Sequence, residues 1–161
     1  MLRFASLLIL VVWIGGLATI GFVGAPAVFE ALERHDPANG RTIGALVFGA
    51  VLARFHRISW ILGAGLLGVF GLRAALGPRP RRLGIRLWAT ATMLAMSLTA
   101  GLWIAPRIET IRAATSGPIA NLPERDAIRI EFGRLHGVST ALMVLTIVIG
   151  AGLIWVEMKD G

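Results

Sequence analysis

Apolar positions run from Phe4 to Phe29 without a charge among them. A membrane-crossing helix needs about 20 such residues, whereas the core of a secretory signal holds about 7–15. The pattern therefore predicts a retained first span over Phe4–Gly24. Arg3 before it and the small Ala25-Pro26-Ala27 after it imitate a cleavable leader. Polar positions return in Phe29-Glu30-Ala31-Leu32-Glu33-Arg34, which reads as the same helix continuing beyond the lipid. Asp36-Pro37-Ala38-Asn39-Gly40 is turn chemistry. His35 beside it reads as a solvated loop histidine.

A second helical pattern runs from Thr42 to Leu76, split by Arg54, His56 and Arg57. The apolar, Gly-rich stretch Ile58–Leu72 follows, and Arg73 closes it. From His56 to Arg73 is about 25 Å of helix at about 1.5 Å per residue. That length matches a hydrocarbon core, so the two residues belong at opposite membrane boundaries. Gly77-Pro78-Arg79-Pro80-Arg81-Arg82 is a break. Leu87–Ile104 predicts a third span, with Trp88 and Trp103 near its ends as interfacial aromatics. Pro106-Arg107-Ile108-Glu109 continues it outward. Ser116-Gly117-Pro118 to Leu122-Pro123 reads as a loop. Asn121 and Glu124 have capping-box spacing, with Pro123 near the first turn. Helix is expected from about Glu124 through His136 into a fourth span, Val138–Val156, ended by Trp155 and Lys159.

The halves of the chain echo each other. Arg54-x-His56-x-x-Ser59 returns eighty positions later as Arg134-x-His136-x-x-Ser139. The same shift carries Thr19, Gly21, Ala25 and Pro26 onto Thr99, Gly101, Ala105 and Pro106. Apolar segments align easily by chance; Pro, Arg and His at one shift do not. Each half is a hairpin of two spans, so both enter the membrane in the same direction. Their relating axis then runs along the membrane normal. Such an axis brings His56 and His136 to one depth, facing each other.

Composition agrees with a bilayer. The chain is 56% hydrophobic with a mean hydropathy of +0.76, above the 45–50% apolar content of soluble domains. Net charge is +7. Its arginines sit beside spans, where they set orientation, so nucleic acid is not an expected partner. Five arginines and no acid lie between Arg73 and Arg86, whereas seven of the nine acids lie in the two opposite loops. Both termini are therefore expected in the cytoplasm, in a bacterial inner membrane. With no cysteine, disulfides, thiolate metal sites and cysteine catalysis are excluded.

The candidate chemistry lies in the histidine motifs. His and the Ser three residues on share a helix face. Two imidazoles from facing helices suffice for axial ligation of a haem iron, or for half of a copper or zinc site. His56 and His136 are the candidate ligands of haem b or copper. Gly63 would leave room for a flat ligand, Arg54 and Arg134 would pair with its propionates or another anion, and Ser59 and Ser139 complete the set. The competing reading is structural: boundary histidines pack at the interface and the serines bond backbone carbonyls. A Ser59–His56 hydrolase dyad lacks an orienting third group. Neither a His-Glu-x-x-His nor a phosphate loop is present, so the chain is not expected to be an enzyme by itself. Glu30 and Glu109 are expected to pair with Arg34, Arg112 or Arg125 on solvated faces.

Trp13-Ile14-Gly15-Gly16, Ala25-Pro26-Ala27-Val28-Phe29, Phe55-His56, Pro106-Arg107 and above all Phe132-Gly133-Arg134-Leu135-His136-Gly137-Val138-Ser139 give the chain a likeness. It resembles the transmembrane protein 205-like family, also called domain of unknown function 4149, over nearly its whole length. The resemblance implies a small four-helix membrane protein with no agreed activity. Some members carry an Asn a few residues after the last Ser; here Leu142 and Met143 stand in that region. A fainter likeness is to copper-resistance-type and haem-handling four-helix membrane domains, an analogy of fold alone.

The expected architecture is an all-α integral membrane four-helix bundle, one transmembrane domain over residues 1–161. Its repeat halves are about 1–78 and 81–161, with helices extended beyond the outer membrane surface. Two functions fit it. One is binding or transfer at a paired-histidine site. The other is a structural or accessory subunit that packs on a membrane-protein partner, or on its own copies, through Gly16, Gly21 and Ala25.

Overall fold

The computed structural model describes residues 1–76, 81–115 and 117–159. Residues 77–80 of the break expected at Gly77–Arg82, and Ser116 at the start of the expected loop, lie outside the described residues. The described residues are mostly helical, without strands. Helix α1 is Leu2–Ala18, a π-helical turn π1 is Thr19–Gly24, and α2 is Ala25–His35. Helix α3 is Gly40–Leu76. Helix α4 (Leu83–Thr99), a second π-helical turn π2 (Ala100–Ile104) and α5 (Ala105–Ala113) form one rod, and α6 is Ala127–Lys159. Four rods, Leu2–His35, Gly40–Leu76, Leu83–Ala113 and Ala127–Lys159, are each long and apolar enough to cross a membrane.

The π-helical turns were not expected, yet the sequence explains both. Pro26 and Pro106 follow them by two residues. A proline ring inside a helix has no N–H to give and collides with the carbonyl four residues back. The preceding turn widens instead: the N–H groups of Ala25 and Ala105 reach back five residues, to the carbonyls of Ile20 and Ala100. The ends of π1 and π2, Gly24 and Ile104, are eighty positions apart.

Three expectations are corrected. Helix α6 starts at Ala127, not near Glu124, because Asp126 is the residue that caps it: its carboxylate accepts the Ile128 N–H at 2.8 Å. Asn121 instead ends a short 3-10 turn, Ile119–Asn121. Arg86, just beyond the expected break, lies within α4 with its side chain wholly buried. Gly63 leaves no room for a ligand, since a Cβ there would fall 2.9 Å from Leu94 and 3.0 Å from Trp13. His35 closes α2 and is exposed, in keeping with a solvated histidine.

Helices α1 and α4 each pack between α3 and α6. The end where α1 and α4 begin and α3 and α6 finish, here the terminal end, is tightly filled by Leu10, Trp13, Leu66, Phe70, Met93 and Leu153. Small residues permit the contact: Gly16 receives the Phe55 ring, Gly21 receives Met143, and Gly150 receives Ile14. Trp88, Trp103 and Trp155 are 77%, 75% and 58% exposed, facing outward as lipid-side aromatics do.

A fully buried carboxylate ties the terminal end together. Glu157 on α6 accepts from Arg73 Nη1 of α3 at 2.6 Å and from Arg86 Nε of α4. Ser6 Oγ of α1 lies 3.1 Å from the same carboxylate. Arg3 donates to the carbonyls of Glu157 and Met158, both at 3.0 Å, and so closes the C-terminal turn of α6. All four rods meet in this cluster.

Candidate functional site

At the opposite end, the loop end, the rods separate. Helix α2 packs on α3, while α5 leans on α6 and α3. A cavity of about 780 Å³ opens between them, within the roughly 300–1,000 Å³ of ligand pockets. Its walls are mostly apolar, with Leu17, Ile20, Phe29, Leu52, Met96 and Met143 among them. Both π-helical turns border it, through Gly21 and Gly101. Widened turns of this kind often mark functional sites.

Both histidines and both serines of the repeated motif line this one cavity: His56, Ser59, His136 and Ser139. Their settings differ. His56 is 7% exposed and Ser59 1%; His136 is exposed and Ser139 half-buried. The His56 side chain rests on π2, where a Cβ at Gly101 would lie 3.1 Å from its Cβ and Cγ and 2.8 Å from Trp60. Neither His56 Nδ1 nor Nε2 has a hydrogen-bond partner, so no neighbouring carbonyl or carboxylate satisfies the ring. On the other wall the His136 ring stacks on Phe132, with centroids 6.0 Å apart and planes 7° apart. The Arg112 guanidinium lies over the Phe132 ring, 5.6 Å from its centroid. The four-residue step from Phe132 to His136 places both on one face of α6, which gives the Phe-x-x-x-His spacing a physical role.

Arg54 and Arg134 are exposed and form no part of the cavity wall. The cation that lines the cavity is Arg112, which sequence reading placed only as a partner of Glu109. It donates to the Ala45 carbonyl at 3.2 Å and stands 3.9 Å from Glu109. Glu30 pairs with Arg34. Two further polar atoms on the wall are buried without partners, Ser97 Oγ and Trp13 Nε1. No spacing in the sequence singles these two out, because each is one polar atom in an apolar stretch.

The donor set discriminates between metals. Among the described residues no group of three or more His, Asp or Glu stands together to hold a metal ion. A bare zinc ion needs more donors than two imidazoles. A haem iron does not, since its macrocycle supplies the other ligands and the protein provides only the axial ones.

A family model described as a domain of unknown function, DUF4149, matches residues 8–116, about two thirds of the chain. The matched region includes His56 and Ser59 and ends before His136. No curated protein matches the chain, and no solved structure does.

Proposed function

The chain belongs to the DUF4149 family, and from that premise we propose that it is a membrane protein that binds haem b in the loop-end cavity, between His56 and His136. The observation that carries this reading is the His56 ring on the cavity wall, whose two nitrogens are buried without a hydrogen-bond partner. An unsatisfied buried polar group costs about 1–3 kcal/mol, and a bond from one ring nitrogen to iron would remove the cost of that nitrogen. Haem is preferred to copper because two imidazoles complete an iron that brings its own equatorial ligands. Arg112 replaces Arg54 and Arg134 as the partner for a propionate, since it alone of the three lines the cavity.

The wider reading goes with it. The bundle is two repeated hairpins, a view supported by the matching π-helical turns. The termini lie in the cytoplasm of a bacterium, and the loop end of the helices rises past the outer surface. The likeness to transmembrane protein 205-like proteins belongs to the same proposal.

The test is titration of the purified protein with haem b, followed at the Soret band. Wild type is expected to bind with 1:1 stoichiometry, and His56→Ala is expected to weaken binding at least tenfold. A wild-type protein that takes up no haem would overturn the reading and leave the accessory-subunit role, in which the cavity receives part of a membrane partner.

A further inference from the structure

The two motif copies are not equally covered. Trp60 follows Ser59 and packs on Gly101, closing the seam between α3 and π2 beside His56. Eighty positions later the corresponding residue is Thr140. It is small, exposed and on the cavity wall, and His136 one turn away is exposed as well. Across from them, Phe22 of π1 and Pro26 of α2 are also both exposed and on the wall. Helix α2 makes at most fringe contact with α6, whereas α1, directly below, packs on α6 closely. Just beneath this gap Met143 fills the space over Gly21 and shuts the seam again.

We infer that the cavity opens sideways into lipid through a portal between π1–α2 and α6, and that its ligand arrives dissolved in the membrane. Phe22 and Pro26 belong to the uncharged run Phe4–Phe29, so that side of the portal faces hydrocarbon. Arg134 stands less than two helical turns from Thr140, which sets the portal near the headgroup boundary. A molecule entering there has an apolar body that partitions into acyl chains. Its polar groups reach His56 and Ser97 only after entry. Water-soluble ions have no such route. The inference deepens the binding reading above, and names the class of ligand as a lipid-soluble amphiphile.

The experiment uses proteoliposomes that contain a phospholipid with a diazirine in its acyl chain. After photolysis, labelled residues are mapped by mass spectrometry. Leu17 and Ser97 line the cavity and are each only 7% exposed, so acyl chains reach them through the cavity. Labelling of both is expected in wild type, with a drop of at least tenfold in Thr140→Trp, while lipid-facing Trp88 and Trp103 stay unchanged. The converse variant, Trp60→Thr, is expected to open the second seam and add label at Gly101 and His56. It keeps the test decisive if Thr140→Trp fails to fold. Unlabelled Leu17 and Ser97 in wild type, or equal labelling in wild type and Thr140→Trp, would overturn the portal. The labelling needs no haem, so its failure is separate from failure of the haem titration.

Discussion

His56 and Glu157 are both buried polar residues, and they spend their burial in opposite ways. Glu157 is surrounded by Arg73, Arg86 and Ser6; His56 has no hydrogen-bond partner at either ring nitrogen. Removing one member of a buried ion pair strands the others and costs about 3–5 kcal/mol. Replacing an unsatisfied polar group by an apolar one of similar size removes a penalty of about 1–3 kcal/mol. Glu157→Ala is therefore expected to lower the unfolding temperature in detergent sharply, and His56→Leu to raise it while abolishing haem binding. A destabilised His56→Leu would mean that the imidazole is already satisfied without a ligand. His56 was legible in the sequence because its motif occurs twice. Glu157 was not, since one acid at the end of a span looks like an ordinary boundary charge. Only folding brings it to Arg73 and Arg86, more than seventy residues away in sequence.

At the scale of elements, the rods were legible and their internal detail was not. Four apolar runs of sufficient length dictate four spans. The Ala-Pro pairs were visible as repeat markers, but the widening they cause depends on how the helix relieves the clash with a ring. Helix starts also depend on which of several polar residues turns toward a free N–H, which is why Asp126 rather than Asn121 caps α6. The prolines make a prediction at this scale. In Pro26→Ala/Pro106→Ala, ordinary four-residue bonding can return across π1 and π2. The helices are expected to gain thermal stability, and the cavity bordered by Gly21 and Gly101 is expected to bind haem b at least tenfold more weakly. Unchanged affinity would separate the widened turns from the site.

At the scale of the whole molecule, one end is sealed and the other is open. The terminal end has a filled core and an ionic cluster drawn from all four rods; the loop end holds the cavity. The repeated motif pointed to two histidines near one another, and both line one cavity; their unequal covering, to which Trp60 against Thr140 contributes, was not legible. Orientation rests on the arginines near Arg81 and Arg82 set against the acids of the opposite loops. The chain has no cysteine, so single cysteines introduced at Arg81 and at Asn121 give clean reporters. An impermeant maleimide applied to intact cells is expected to label the Asn121 site and spare the Arg81 site. The reverse pattern would invert the molecule in the membrane.

The central claim is that two imidazoles from opposite walls serve one ligand, and the coordination of bound ferric haem tests it most directly. Each axial imidazole contributes one of the two positions that the macrocycle leaves open. The account predicts a six-coordinate, low-spin spectrum for the wild-type protein loaded with haem b. It predicts a five-coordinate or water-ligated, high-spin spectrum when either His56→Ala or His136→Ala is loaded with the same haem. An unchanged low-spin spectrum in either variant would contradict the paired site.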